Sequence, residues 1–267
     1  MNARFFSQPI VAICALIGAF FPSGFIGRTF AADSSQPQYY ELRVYTTSSQ
    51  EQQQLVCDYW KDAAVPACNR MGINPVGVFT ETQDSPTNKI YVLVPCDSLD
   101  IFAAIPGRLA SDAVYQAAAA KYMGRPKSNP AYERIESSLH IAFDGMKKLA
   151  VPPAAAEKKS WIFELRTYES PSESKGINKV RMFNSGEIPL MQEVGLCPVF
   201  FARTLAGPQM PDLVYMVSGE NPDAHKKHWK AFMDAPVWKK LSGDPQFKDN
   251  VSRVISIFLK RLPASQI

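Results

Sequence analysis

Both halves of the chain show the same succession of strand-like and helix-like patterns of hydrophobic residues. Residues 39–46 and 161–168 alternate with a period of two and are rich in Tyr, Leu, Val and Ile, which predicts strands. Apolar residues at helical spacing follow, over about 49–71 in the first half and 177–194 in the second. Two strands, a second helical region and a closing strand come next in each half. The pattern therefore predicts the order β-α-β-β-α-β twice.

A sequence repeat runs in register with these elements. The hexapeptide YELRVY at residues 40–45 recurs as FELRTY at 163–168, which is 123 positions later. The same offset carries Gly72 onto Gly195 and the Pro-Val pair at 75–76 onto that at 198–199. We interpret the chain as two copies of one unit. The predicted bounds are 39–145 for the first unit, 146–160 for a Pro-, Ala- and Lys-rich linker, and 161–262 for the second unit.

The element order is that of the ferredoxin-like, split βαβ motif. Each unit supplies four strands of one sheet with two helical regions, so the fold class is α+β. Two such sheets in tandem can pack face to face. We therefore predict a pseudo-symmetric α/β barrel of the dimeric type, built within one chain from the two ferredoxin-like units.

Alternation along the first strand of each unit predicts a polar pocket. Tyr40, Leu42 and Val44 share one face, and Glu41, Arg43 and Tyr45 share the other. If the apolar set covers the helices, the polar set points into the barrel, where an arginine anchors an anionic oxygen. Alternatively, each Glu only pairs with the neighbouring Arg. The candidate pocket residues are Glu41, Arg43, Tyr45, His140, Glu164, Arg166 and Tyr168.

Three histidines are present. His140 lies in the closing strand of the first unit, where it faces the same cavity as a base or ligand, or is a hydrogen-bonded strand residue. His225 and His228 are three positions apart, which places them on one helix face. They are candidate metal or haem ligands, but the lysines around them favour a solvated basic face. We therefore predict no cofactor, with haem or a metal ion as the lesser alternative.

The first 31 residues resemble a secretory signal peptide. One arginine precedes an uninterrupted apolar run at residues 10–21, and Thr29-Phe30-Ala31 provides a small-x-Ala site. An uncleaved membrane anchor is the alternative. Cleavage removes two arginines and no acidic residue, which lowers the net charge from +4 to +2. We expect an exported protein, periplasmic or secreted, with no stable membrane span after cleavage.

Composition and motifs exclude several classes of protein. The small net charge of +4 in 267 residues argues against nucleic-acid binding. The four cysteines outside the signal lack the close spacing of a zinc site. The sequence contains no G-x-S-x-G, Walker A, G-x-G-x-x-G or H-E-x-x-H motif. These absences exclude the hydrolase, kinase, dinucleotide-enzyme and zincin classes that carry those motifs.

The motifs together resemble the NIPSNAP family of the dimeric α/β-barrel superfamily. The resemblance rests on Y-E-L-R-x-Y, on the helix that ends at a glycine, on the Pro-Val strand start and on the stretch DAPVWKK at 234–240. It is stronger in the second unit, which keeps both Trp229 and Trp238. Relatives in the superfamily include cofactor-independent monooxygenases, haem proteins and ligand-binding modules. NIPSNAP proteins themselves are linked to vesicle or organelle interactions.

Three functions are consistent with this resemblance. The leading hypothesis is a barrel that binds a small molecule or is weakly enzymatic. The first alternative is a cofactor-independent monooxygenase in which Arg and Tyr stabilise an enolate while His140 takes a proton. The second is a non-enzymatic interaction module, whose barrel interior is expected to be filled with side chains. A small-molecule ligand and a homo-oligomer are the expected partners.

Overall fold

The computed structural model describes residues 36–82, 88–153, 157 and 161–267. The predicted signal peptide lies outside the described residues. Eight strands of the described chain form a closed barrel in the order β1-β3-β2-β8-β5-β7-β6-β4. The strands are β1 Tyr39–Thr47, β2 Gly77–Glu81, β3 Asn88–Cys96, β4 Arg134–Ala142, β5 Ile162–Glu169, β6 Cys197–Ala206, β7 Asp212–Gly219 and β8 Arg253–Arg261.

The barrel is assembled from four strands of each unit, as the sequence predicted. β1 to β4 pair with one another, as do β5 to β8, and all pairs are antiparallel. Two pairings join the units and close the barrel: Phe79 pairs with Arg261 between β2 and β8, and His140 pairs with Thr204 between β4 and β6. The predicted α+β barrel of two ferredoxin-like units is confirmed.

Helices cover the outer face of each half. Their bounds in the first unit are α1 Gln50–Tyr59, a π-helical turn Trp60–Ala64, α2 Val65–Arg70, α3 Leu99–Ser111 and α4 Ala113–Met123. In the second unit they are α5 Glu173–Met182, a π-helical turn Phe183–Glu187, α6 Ile188–Glu193, α7 Pro222–Asp234, α8 Pro236–Gly243 and a 3₁₀ turn Pro245–Phe247. The two π-helical turns lie 123 positions apart from each other, so the duplication extends to this uncommon local structure.

Local sequence explains how these helices begin and end. Ser98 and Asn221 cap α3 and α7, where each side chain accepts a hydrogen bond from a backbone N–H of the first turn. Pro66 and Pro189 lie in the first turn of α2 and α6, directly after the π-helical turns. Gly72 has the left-handed backbone, with a φ of +78°, that ends the first helical region.

Among the residues that the structure describes, apolar side chains form three clusters. One lies inside the barrel and includes Tyr40, Leu42 and Phe163. The other two lie between the barrel and the helices of each unit. The first part of the predicted linker packs against the barrel, because the Ala150 N–H donates to Val199 O at 2.9 Å and Leu149 contacts the interior cluster. None of the helices in the described part of the chain has the length and hydrophobicity of a membrane span.

Candidate functional site

A cavity of about 350 Å³ lies inside the barrel, at the end opposite the linker. Residues of both units line it, and apolar and polar residues alternate within the lining. This volume is within the range of small-molecule sites in proteins. The lining residues are Leu42, Val44, Lys89, Tyr91, Glu136, Ser137, Ser138, Leu165, Thr167, Thr204, Gly207, Pro208, Gln209, Asp212, Val214, Ile255 and Ile257.

A hydrogen-bonded group of side chains forms one wall of this cavity. Ser138 Oγ lies 2.8 Å from His140 Nε2, and Thr204 Oγ1 lies 3.0 Å from His140 Nδ1. His140 is 1% exposed, and burial lowers the pKa of His140 to about 4. The imidazole is therefore neutral near pH 7, with one nitrogen as donor and the other as acceptor. β4 supplies Ser138 and His140, and β6 of the other unit supplies Thr204.

Asp212 adds a carboxyl group to the same wall. It begins β7 and points inward with Val214, while the intervening Leu213 packs under the helices. Burial raises the pKa of Asp212, and interaction with Thr204 only partly offsets this effect. Sequence reasoning missed both Asp212 and Thr204. An Asp at the start of an otherwise apolar strand was the available signal, but the pairing of β4 with β6 across the two units was not visible in the sequence.

The prediction that Glu41, Arg43 and Tyr45 point into the barrel was wrong. Tyr45 belongs to the cluster beneath the first unit's helices, and Glu41 and Arg43 line a small space there with Trp60. The apolar residues of β1 point inward instead. Both faces of β1 are covered in a closed barrel, so alternation separates the two sets without showing which one is inside.

Glu41 is buried beneath the first helical layer. The Arg43 Nε–H donates to Glu41 Oε1 at 2.6 Å, and the Ser137 hydroxyl donates to the same oxygen at 2.7 Å. Within the described part of the chain, Glu41 Oε2 has no hydrogen-bond partner. Tyr45 packs edge-on against the rings of Trp60 and Tyr132. This arrangement matches the alternative in which Glu and Arg pair with each other.

Glu164 is the corresponding residue of the second unit and has donors for both oxygens. Arg166 and Ser256 donate to Oε1, while His225 Nε2 at 2.8 Å and Trp229 Nε1 at 2.6 Å donate to Oε2. Burial alone would raise the pKa of Glu164, but the His225 hydrogen bond, the Arg166 charge and the other two hydrogen bonds lower it to about 2. The carboxylate is therefore a buried, ionised centre of the helical layer.

Arg166 and Tyr168 also lie on the helical side rather than in the barrel, which contradicts their predicted placement. The guanidinium of Arg166 lies over the Trp229 ring, 4.7 Å from its centroid. The Tyr168 hydroxyl is 2.9 Å from the Tyr215 hydroxyl, and burial raises the pKa of Tyr168. The sheet thus separates both arginines from His140. The structure does not assemble the Arg, Tyr and His arrangement expected for enolate stabilisation.

The preference for a solvated face at His225 and His228 was wrong for His225. His225 is 2% exposed and binds Glu164, and its imidazole packs against Gly219. His228 is half-buried, with its ring against Gly195. Because His225 Nε2 is occupied by the carboxylate, the two histidines do not fit as a pair of haem or metal ligands. Among the described residues, no group of three or more His, Cys, Asp or Glu side chains is arranged for a metal ion.

Comparison with known proteins places the first unit in a family. Residues 40–128 match the model of the NIPSNAP family. Those residues are a NIPSNAP domain. The match lies in the first unit, although the tryptophans and proline of the second unit had suggested a closer resemblance there. The match runs from β1 to just after α4 and ends before β4. No curated protein gives a match to the chain.

Solved structures share the barrel fold of this chain at low identity. A candidate monooxygenase of Lactobacillus acidophilus NCFM has a TM-score of 0.56 and 8% identity over 85% of this chain and 94% of its own. One of Fusobacterium nucleatum has a TM-score of 0.53 and 9% identity over 85% and 93%. An anthrone oxidase-like protein has a TM-score of 0.51 and 12% identity over 86% and 93%. At these identities, the likeness shows the fold alone.

Proposed function

We propose that this protein binds a small organic molecule in the barrel cavity between its two units. The observation that carries the proposal is the open space of about 350 Å³, which both apolar and polar residues line. An interaction module with a filled barrel would leave no such space. Leu42 and Leu165 come from equivalent positions of the two units, so the binding site depends on the duplication.

The lining favours an uncharged ligand with an apolar body. Leu165, Val214 and Ile257 provide the apolar contact surface, and removal of the ligand's apolar area from water drives binding. Ser138 and Thr204 offer hydroxyl groups to a polar end of the ligand. Among the described lining residues, Glu136 and Asp212 accompany the cationic Lys89, so the cavity offers no excess of positive charge to an anion.

Binding of 2-naphthol, a neutral aromatic alcohol, tests the proposal by isothermal titration calorimetry. Thr167 lines the cavity, and the adjacent Arg166 lies on the other side of the sheet. We expect 2-naphthol to bind the wild type and Arg166→Lys alike, and Thr167→Trp to abolish binding by filling the cavity. Loss of binding in Arg166→Lys together with retention in Thr167→Trp would place the ligand in the helical layer and contradict the proposal.

We also propose that the protein is exported after cleavage behind Ala31. The support is the sequence of residues 1–31, with its basic start, apolar run and small-x-Ala site. Expression of the full chain in its native host followed by N-terminal sequencing tests this. Ala32 is the expected first residue of the mature protein, and a retained Met1 would contradict cleavage.

A further inference from the structure

Ser138 and His140 have the geometry of a nucleophile and its base. Ser138 lines the cavity, and His140 Nε2 lies 2.8 Å behind its hydroxyl oxygen. On its other side, His140 Nδ1 lies 3.0 Å from Thr204 Oγ1. A hydroxyl, a base within hydrogen-bond distance and a third group that orients the base are the structural signature of an activated serine.

The hydrogen bonds are compatible with the tautomer that catalysis needs. The neutral imidazole of His140 has one N–H and one free lone pair. In one of its two tautomers, the Nδ1–H of His140 donates to Thr204 Oγ1. Nε2 is then left as the acceptor for the Ser138 hydroxyl proton. The alternative acceptor for this proton, Leu42 O, is more distant at 3.4 Å.

The barrel itself does not require polar residues at these positions. In the first unit, Ser138 pairs with Leu42 and His140 pairs with Tyr40. At the equivalent positions of the second unit, Ile257 pairs with Leu165 and Leu259 pairs with Phe163, and all four are apolar.

The second unit thus builds its β5 and β8 pair with apolar residues where the first unit has Ser138 and His140. At the neighbouring junction, Glu81 pairs with Leu259 and accepts a hydrogen bond from Tyr91, so that junction is polar but has no serine and histidine pair. A buried polar group is costly unless it is hydrogen-bonded, and an apolar residue avoids that cost. The hydrogen-bonded serine and histidine pair, which only the β4 side of the barrel carries among the described residues, therefore indicates chemistry rather than packing.

We propose that Ser138 is a catalytic nucleophile activated by His140, and that the cavity hydrolyses small uncharged esters. This inference rests on the proposed ligand site and names its substrate class. Ser138 Oγ bonds to the ester carbonyl carbon while its proton moves to His140 Nε2. The bond from that carbon to the alcohol oxygen breaks, and the departing oxygen takes the proton. Water then attacks the acyl-serine, returns a proton to Ser138 through His140 and releases the carboxylic acid.

Labelling of the native protein with diisopropyl fluorophosphate tests the nucleophile without any substitution. We expect one diisopropylphosphoryl group on the peptide that contains Ser138, located by mass spectrometry. We also expect turnover of 4-nitrophenyl acetate that falls at least about 100-fold in Ser138→Ala and in His140→Gln. Ser111→Ala is the matched control, because Ser111 is exposed on α3 and only contacts its own helix; its rate should equal that of the wild type.

Two results distinguish failure of this inference from failure of the ligand site. If 2-naphthol binds but Ser138 is not labelled, or if Ser138→Ala keeps the wild-type rate, the nucleophile is wrong and the ligand site stands. If 2-naphthol does not bind and neither labelling nor turnover occurs, the ligand site is wrong as well. Labelling at a different serine would also overturn the inference.

Discussion

Glu41 and Glu164 occupy the same position in the two units, yet their surroundings differ. Both accept hydrogen bonds from an arginine two residues later and from a serine of the adjacent strand. Glu164 also has His225 and Trp229 on its second oxygen, whereas the second oxygen of Glu41 has no partner among the described residues.

Two substitutions on one helix explain the difference. α3 and α7 begin and end 123 positions apart, so Phe102 stands where the second unit has His225, and Pro106 where it has Trp229. The Glu and Arg motif is therefore a structural element of the helical layer. Both carboxylate oxygens have donors in the second unit, and only one has donors in the described part of the first. Duplication of the motif does not by itself mark a binding site.

The largest effect is expected from Glu164→Gln. The substitution removes the charge that pairs with Arg166 and leaves buried donors without their ionised acceptor, so the free energy of unfolding should fall by about 3 kcal/mol. Urea unfolding monitored by circular dichroism measures this. A loss below about 1 kcal/mol would show that the four hydrogen bonds contribute little.

Low pH should lower the stability of the wild-type protein through protonation of Glu164. The pKa of Glu164 is about 2 in the folded protein and about 4.3 in an unfolded chain. The depressed value means that the stabilisation is fully present above about pH 4.3 and is lost as the pH falls towards 2. We therefore expect the stability difference between the wild type and Glu164→Gln to be constant from pH 7 to 5 and to close below that range. If the stability difference between the two proteins stayed constant down to pH 2, the lowered pKa of Glu164 would be contradicted.

A smaller effect is expected from Glu41→Gln, the matched substitution in the first unit. Glu41 has two donors instead of four, and one of its oxygens is already without a partner. The expected loss is about 1 kcal/mol in the same urea assay. If Glu41→Gln is as damaging as Glu164→Gln, the two centres are equivalent and the comparison fails.

The smallest effect is expected from Phe102→His, which gives the first unit the imidazole of the second. By its equivalence to His225, the new imidazole is expected to donate to Glu41 Oε2, while the half-buried apolar contact of Phe102 is lost. The net change in stability should therefore be close to zero. A double-mutant cycle with Glu41→Gln isolates the new contact, and we expect a coupling of about 1 kcal/mol. Zero coupling would show that position 102 does not face the Glu41 carboxylate.

Periodicity and the 123-residue offset were sufficient to predict the barrel. The alternating strands, the helix ends at Gly72 and Gly195 and the equivalence of the two units follow from short-range patterns. The orientation of β1 and β5 could not be predicted in the same way. Both faces of these strands are buried. In this barrel the apolar face of β1 lies inside, whereas the sequence predicted Glu41 and Arg43 there.

The cavity wall was only partly predictable. His140 was predicted to face a cavity, and Ser138 shares its face by simple alternation. Thr204 and Asp212 belong to the second unit, and they meet His140 only because β4 pairs with β6. Such a contact between strands more than 60 residues apart depends on how the barrel closes, and no local pattern contains that information.

Methyl-detected NMR with 2-naphthol tests whether the functional site lies inside the barrel rather than beneath the helices. Leu42, Leu165 and Ile257 report on the barrel cavity, while Ile105 and Leu109 report on the small space beside Glu41. We expect intermolecular NOEs from 2-naphthol to the first three residues and none to the other two. NOEs to Ile105 and Leu109 without any to Leu42, Leu165 or Ile257 would contradict a site inside the barrel.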